Sequence, residues 1–286
     1  MRPVLFAMCL GALVLGACGS ADRPTPSQTP STAFATPAVP PPPDGTTAEV
    51  ILVWDGDSMR VEIDGTVDEV RLVGINAPEQ DECYGEAARQ TLIDLVGGRS
   101  VTLLSAGGDE RDRFGRLLFY VAVDDLTVNE SMVESGNALA LQGGHPLEAT
   151  YTTLGDTAHE AGRGMWAADA CGTRATDEIR IADIFYDAPG NDGENPSGEW
   201  VLVENTGTAP TDLSGWILRD ESSSHRFTFP EGLVLGEGDA VRIVSGCYPA
   251  ETGVLAWCAG GAVWNNAGDT AILQTPEGTV VDRVRY

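Results

Sequence analysis

The sequence predicts a mainly β protein of two folded domains, and three observations carry that prediction. The 286 residues suffice for two domains of ordinary size. Hydrophobic residues make up 42% and charged residues 21%, so most of the chain can fold. Segments that alternate apolar and polar residues recur in both halves, whereas helical spacing stands out only in the first. We therefore predict a five-stranded barrel with about three helices, followed by a β-sandwich.

The first domain is predicted over residues 47–171 from the order of its elements. Gly97-Gly98 stops its first helix, and Asp64-Gly65 marks a hairpin turn. Three strands, a helix, two strands and two helices are typical of a small barrel with helices packed against it. The predicted strands are 50–54, 59–64, 69–75, 100–105 and 117–123, and the helices are 86–95, 128–135 and 147–163.

The second domain is predicted over residues 179–286, after a short polar linker at 172–178. Ile179-Arg180-Ile181 and Trp200–Val203 have the pattern of short strands. Turn residues recur at the spacing expected between the strands of a β-sandwich. Trp200 and Trp216 are expected in its core.

The first 46 residues are typical of an export signal and a spacer. Residues 4–15 form an apolar run that suits a signal peptide and is too short to span a membrane. Leu15-Gly16-Ala17-Cys18 resembles a lipobox, so residues 1–18 are expected to be a lipoprotein signal that lipidates Cys18; an ordinary signal peptide is the alternative. Residues 19–46, rich in Pro and Thr, are predicted to be a disordered tether. The protein would then be anchored outside the cytoplasmic membrane, or in the outer membrane of a diderm cell.

Four cysteines remain for the folded part. An even number in an exported chain favours disulfides, and four cysteines allow three pairings. We favour Cys83–Cys171, which flank the helices of the first domain, and Cys247–Cys258, which lie close in the second. A zinc site is the alternative, but the chain has no CxxC pair and only three histidines.

The chain is strongly acidic and contains no lysine. The net charge is −26, and all 17 basic residues are arginine. Residues 47–171 carry 23 acidic residues against 8 arginines. Long-range attraction to a polyanion is therefore expected to be poor. Binding of any polyanion would depend on local arginines and on a bound cation.

Two short segments carry candidate metal and base groups. Asp55 and Asp57 follow the first strand one residue apart and can face one hard cation, although DGD is also an ordinary turn. Pro78 ends the third strand and fixes the direction of Glu79. A carboxylate in that place can activate water.

Two arginines complete the pattern. Arg71 falls inside an apolar strand and should point to a polar cleft, or to an ion pair at the barrel rim. Gly115 permits a turn that presents Arg116, unless this is only a loop of solvated charges. Hydrolysis of a phosphodiester needs such forked donors at the phosphate oxygens together with a positioned water.

Residues 48–168 resemble the staphylococcal nuclease (thermonuclease) family. The resemblance implies an OB-fold and Ca²⁺-dependent cleavage of DNA and RNA that leaves 3′-phosphate products. The matching segments are Asp55–Asp57, Arg71–Glu79, Tyr84–Ala87, Asp112–Arg116, Val128–Glu130 and Gly164–Trp166.

The same resemblance implies a metal site. Asp57 would be a direct Ca²⁺ ligand, Asp55 a supporting acid, and Ala77 the donor of a backbone carbonyl. Asn76 stands where the family has a second metal carboxylate, so one charge is lost. Glu79 would be the general base.

The resemblance further implies a phosphate site. Arg71 and Arg116 would bind the scissile phosphate. Arg113 and Phe114 match the lysine and tyrosine of the family's phosphate-binding loop, which makes them candidate substrate-binding residues. His145 is expected to be a surface residue.

Residues 179–286 resemble a lamin tail domain, which implies an Ig-like sandwich whose ligand the sequence does not identify. The matching segments are Glu199–Asn205, Asp212–Leu218, Phe227–Pro230 and Trp264–Asp269. The leading interpretation is a surface-anchored, Ca²⁺-dependent nuclease with no obligate protein partner. The alternatives are a catalytically silent surface adhesion lipoprotein and a calcium-binding structural lipoprotein.

Overall fold

The first domain is a closed barrel with three α-helices in the computed structural model, which describes residues 45–172, 178–222, 224–249 and 251–286. Its helices are α1 (Gly85–Val96), α2 (Val128–Glu134) and α3 (Glu148–Glu160), and a 3₁₀ turn follows at Gly164–Trp166. Its strands are β1 (Thr46–Val53), β2 (Ser58–Ile63), β3 (Thr66–Leu72), β4 (Ile75–Asn76), β5 (Ser100–Ser105), β6 (Leu117–Val123), β7 (Leu126–Thr127) and β8 (Leu139–Ala140).

Five of these strands close the barrel. They run in the order β3-β2-β1-β5-β6, and a parallel pairing of β3 with β6 joins the two ends. Alternate residues such as Met59, Val61, Val70 and Leu72 are fully buried inside it. The predicted mainly β class, the five-stranded barrel and the three helices are therefore confirmed.

The predicted third strand, 69–75, is wrong in one respect, because the chain leaves the barrel after Leu72. Gly74 has a φ of +76°, and a Cβ there would lie 2.4 Å from the ring of His145. Asn129 Nδ2 donates to the Val73 carbonyl at 2.9 Å and holds the bend. The next two residues form β4, which pairs with β8 rather than with the barrel. This bend sets the direction of Asn76.

His145, which the sequence predicts at the surface, is half-buried. Its Nδ1 lies 2.8 Å from the Tyr120 hydroxyl, and its ring packs 5.3 Å from that of Tyr151. The bend at Gly74 leaves room for this ring. Burial lowers the pKa of His145, partly opposed by its contact with the Leu141 carbonyl.

The second domain consists mainly of two four-stranded sheets, ordered β16-β15-β10-β9 and β13-β12-β17-β18, with β11 and β14 forming a small third sheet. Its strands are β9 (Ile179–Phe185), β10 (Trp200–Asn205), β11 (Thr211–Asp212), β12 (Ile217–Arg219), β13 (Arg226–Thr228), β14 (Val234–Leu235), β15 (Ala240–Val244), β16 (Val254–Ala256), β17 (Thr270–Gln274) and β18 (Val280–Arg285).

One of the two expected core tryptophans lies elsewhere. Trp216 is buried in the core of the sandwich. Trp200 is half-buried and stacks on Phe185, with ring centroids 5.8 Å apart. Along β10 the inner positions belong to Val201 and Val203, so the alternation of the strand turns Trp200 to the outer face.

The two domains pack against each other, and the described residues belong to one compact unit. An apolar cluster joins Leu139 and Trp166 of the first domain to Ile272 of the second. Asp156 of α3 accepts hydrogen bonds from Arg283 at 2.7 Å and from Arg285 at 2.6 Å. Burial opposes ionisation of Asp156, but the two guanidiniums outweigh it and lower its pKa.

Two disulfides, Cys83–Cys171 and Cys247–Cys258, are present, and these are the pairs that the sequence favours. The predicted signal, Cys18, the tether up to residue 44 and linker residues 173–177 lie outside the described residues. Strand β1 begins at Thr46, one residue before the predicted domain boundary. Within the described part of the chain, no helix is long and apolar enough to cross a membrane.

Candidate active site

The guanidinium of Arg71 is the centre of the candidate site. Its neighbours in β3, Val70 and Leu72, point into the barrel, so Arg71 projects from the outer face. Its Nη1 donates to the carbonyls of Leu72 and Ile75, both at 2.7 Å. Its Nη2 donates to Asn76 Oδ1 at 3.0 Å and lies 3.1 Å from Asp57 Oδ2. One buried cation thus holds two of the predicted metal-binding residues together.

Asp57 is a buried carboxylate at the turn between β1 and β2. Its Oδ2 accepts the Ala77 backbone N–H at 2.6 Å, which brings a third predicted metal residue to the same place. Burial raises the pKa of Asp57 to about 7, although Arg71 acts to lower it. One guanidinium therefore offsets only part of the cost of burying this charge.

The Asp55 carboxylate has a local structural role in the turn before β2. Its Oδ1 accepts the Asp57 N–H at 2.9 Å, and its Oδ2 accepts the Ser58 hydroxyl at 2.6 Å. Both carboxylate oxygens are therefore engaged in fixing the turn that presents Asp57. This arrangement suits a supporting acid better than a direct ligand.

The donor set fits Ca²⁺ in chemical type. Asp57 and Asn76 offer a carboxylate and an amide oxygen, both within hydrogen-bond distance of the same Arg71 nitrogen, and Ala77 is adjacent. Such hard oxygens are the ligands that Ca²⁺ prefers. The described residues contain no group of three or more His, Cys, Asp or Glu side chains that could hold a metal. A calcium site here would therefore need the amide and a backbone carbonyl as ligands.

Glu79 is exposed directly after Pro78 and is held through its backbone. Its N–H donates to Glu82 Oε2 at 3.0 Å, and its carbonyl accepts the Glu82 N–H at 2.9 Å. A Cβ at position 85 would lie 1.8 Å from the Glu79 carbonyl oxygen, so only glycine fits there. The start of α1 thus packs tightly against the segment that presents the predicted base.

Arg116 lies on the same outer face as Arg71 without touching it. The parallel pairing sets Arg71 beside Leu118, two residues after Arg116. Arg116 Nε donates to Asp112 Oδ2 at 2.8 Å, and its backbone N–H donates to the same carboxylate at 2.9 Å. The structure therefore places both arginines at one face, while Asp112 holds Arg116 in its own loop.

Arg113 and Phe114 form the tip of that loop. The Phe114 side chain is 70% exposed. The guanidinium carbons of Arg113 and Arg116 lie 4.8 Å and 5.7 Å from the centre of its ring. An exposed ring beside two cations is suited to a nucleotide base next to a phosphate. The substrate-binding role of this pair stays a prediction.

Sequence reasoning missed the residues that the second domain brings to this site. Asn76 Nδ2 donates to the Glu221 carbonyl at 3.0 Å. Arg226 forms an ion pair with Glu82, and Arg219 lies 3.9 Å from the same carboxylate. The available signal was the charge run that begins at Arg219, the last residue of the otherwise apolar strand β12, because an unpaired charge is costly there.

Comparisons with known proteins agree with both domains. Residues 69–168 match the family model described as staphylococcal nuclease homologue, and residues 172–286 match the lamin tail domain. An "Uncharacterized endonuclease" of Escherichia coli O157:H7 is 34% identical over 119 residues, which cover 41% of this chain and 75% of that protein. The "Micrococcal nuclease" of Shigella flexneri is 33% identical over 129 residues, 42% of this chain and 72% of the relative.

A third relative matches over a shorter part of its length. The "SPbeta prophage-derived endonuclease YokF" of Bacillus subtilis is 40% identical over 90 residues, 29% of this chain and 30% of that protein. The chain thus belongs to the staphylococcal nuclease family and carries a lamin tail domain after its nuclease-like barrel.

Proposed function

We propose that this protein is an endonuclease that hydrolyses phosphodiester bonds of DNA, RNA or both. The observation that carries the proposal is the Arg71 guanidinium, held between Asp57 and Asn76 on the barrel face that also bears Arg116. Family membership supports it, since the curated relatives compared above are named endonucleases or nucleases.

The proposed enzyme depends on Ca²⁺ held by Asp57, Asn76 and the Ala77 carbonyl, with Asp55 in support. Bound there, the ion supplies positive charge to the phosphate oxygens. The geometry that supports this set is the approach of Asp57 and Asn76 oxygens to one Arg71 nitrogen, with the Ala77 N–H bound to Asp57.

In the proposed reaction, Glu79 accepts a proton from a water molecule whose oxygen bonds to phosphorus. The bond from phosphorus to the 5′ oxygen breaks, and that oxygen takes up a proton from solvent. The products are a 3′-phosphate and a 5′-hydroxyl end. Arg116 and Arg71 donate hydrogen bonds to the phosphate oxygens as charge develops, Arg71 through its Nε–H because its Nη1 and Nη2 already bind protein oxygens. Arg113 and Phe114 bind the neighbouring nucleotide.

A fluorescence-quenched oligonucleotide assay tests this proposal. The wild-type protein should cleave DNA or RNA with Ca²⁺ and lose activity in EGTA. Glu79→Gln should be slower by about 10²–10⁴-fold, because a general base contributes that much. Glu62→Gln is the matched control, an exposed glutamate in β2 away from the site, and should keep the wild-type rate.

The salt dependence separates this proposal from the silent adhesion protein. Screening should reduce the repulsion between substrate and a chain of net charge −26, so cleavage should persist or rise with moderate NaCl. Absence of cleavage of either nucleic acid from low salt to molar NaCl would contradict the nuclease proposal and favour the silent barrel.

We also propose that the enzyme acts outside the cell, anchored by lipid at Cys18 to the outer face of the cytoplasmic membrane or, in a diderm cell, to the outer membrane. The lipobox-like segment before Cys18 and the two disulfides support this location. Cys18→Ser should move the protein out of the membrane fraction. Unchanged membrane association of that variant would argue against the anchor.

A further inference from the structure

We propose that the lamin tail domain contributes positioning residues to the nuclease site. Three of its residues contact the two ends of the segment that bears the predicted base. These residues, Arg219, Glu221 and Arg226, are called the clamp here, and the segment they hold is Asn76–Glu82. The proposal rests on the proposed function and adds positioning residues to it.

The first contact holds the start of the segment. Asn76 Nδ2 donates to the Glu221 carbonyl at 3.0 Å, while Asn76 Oδ1 accepts from Arg71. The amide is therefore fixed in one orientation, with its oxygen toward the Arg71 guanidinium. An aspartate has no proton to donate and would set a carboxylate against the Glu221 carbonyl. The clamp thus gives a physical reason for the amide at the position where the family has a carboxylate.

The second contact holds the end of the segment. Arg226 pairs with one oxygen of Glu82, and Arg219 approaches the other at 3.9 Å. That second oxygen accepts the backbone N–H of Glu79 at 3.0 Å. A continuous chain of contacts therefore runs from the lamin tail domain through Glu82 to the backbone of the predicted base.

The clamp is itself held rigidly. Buried Arg219 donates from Nε to the Asp220 carbonyl and from Nη2 to the Ser222 carbonyl, both at 3.0 Å. Glu221 Oε1 accepts the Gln142 N–H at 2.6 Å, and its Oε2 accepts the Thr270 hydroxyl at 3.1 Å. The hydrogen bonds of Arg219 and Glu221 preorganise these side chains without substrate. Positioning of a reacting group requires such preorganisation.

Arg226→Gln in the full-length protein tests the second contact. Hydrogen exchange at segment 77–84 should become at least about fivefold faster, because Glu82 loses the partner that holds it against the Glu79 N–H. The matched control is Arg285→Gln. Arg285 also reaches across the domains, to Asp156, and its side chain is 31% exposed against 27% for Arg226. The control should leave exchange of this segment unchanged.

Kinetics of the same variants give the second readout. In Arg226→Gln, kcat should fall about 10–100-fold while KM changes less than threefold, because a base displaced by about 1 Å loses rate rather than affinity. Arg226→Lys, which keeps the charge, should recover much of kcat. Glu82→Gln should match Arg226→Gln, and the double variant should be no slower than the slower single variant, within about twofold.

Two outcomes would overturn the positioning role. One is an Arg226→Gln variant with wild-type exchange at 77–84, and the other is a kcat no lower than that of Arg285→Gln. Failure of the proposed function is a separate result, since an inactive wild-type protein would still show whether Arg226 protects the Glu79 segment from exchange.

Discussion

Arg71→Gln is expected to reduce cleavage at least about 100-fold and to lower the free energy of unfolding by about 3–5 kcal/mol. The activity is lost because the guanidinium is the predicted donor to the scissile phosphate. The stability is lost because the Leu72 and Ile75 carbonyls lose their donor and because Asp57, at a pH above its raised pKa of about 7, is a buried carboxylate without its cation. The side chains of Asp57 and Arg71 are only 7% and 13% exposed. Urea unfolding and the oligonucleotide assay measure the two effects.

A surface arginine gives the control for this prediction. Arg60 pairs with Glu69 at 3.1 Å, but both side chains are well exposed, so Arg60→Gln should cost less than about 1 kcal/mol. Adding Asp57→Asn to Arg71→Gln should restore part of the stability without restoring cleavage, since the uncompensated charge is removed but the donor is still missing. A single Arg71→Gln variant as stable as Arg60→Gln would contradict the buried ion pair.

Removal of the Cys83–Cys171 disulfide by a double serine variant is expected to lower the free energy of unfolding by about 4–5 kcal/mol. The bond joins residues 88 apart in sequence, and closing so long a loop removes much entropy from the unfolded chain. Activity should fall as well, because Cys83 follows Glu82, the residue that holds the Glu79 backbone. Chemical unfolding and kcat of the same preparation measure both effects.

The second disulfide is a control within the same chain. Cys247–Cys258 closes a loop of separation 11, so its removal should cost only about 3 kcal/mol. It lies in the lamin tail domain and joins no residue of the clamp, so kcat should be unchanged. Equal loss of kcat in the two variants would show that stability alone, rather than the position of Glu82, explains the effect.

The sequence by itself determined the fold class and the order of the main elements, and it supplied the candidate site residues. Period-two alternation in β2 and β3 follows from burial on one side of a strand, so it can be recognised without coordinates. Arg71 was recognisable for a related reason, because a charge inside an apolar strand must find a polar partner. The sequence favoured Cys247–Cys258 because the two residues are close in the chain, and Cys83–Cys171 because they flank the helices of the first domain.

Only the tertiary structure decided how the site is held. The bend at Gly74 depends on Asn129 and His145, which lie more than 50 residues away in sequence, so no local pattern reveals it. Arg219 and Arg226 reach Glu82 across more than 130 residues, because the domains pack on the side of the barrel that bears the site. Contacts of that kind arise when two domain surfaces pack together. Secondary-structure propensity and hydrophobic periodicity describe local sequence and do not predict them.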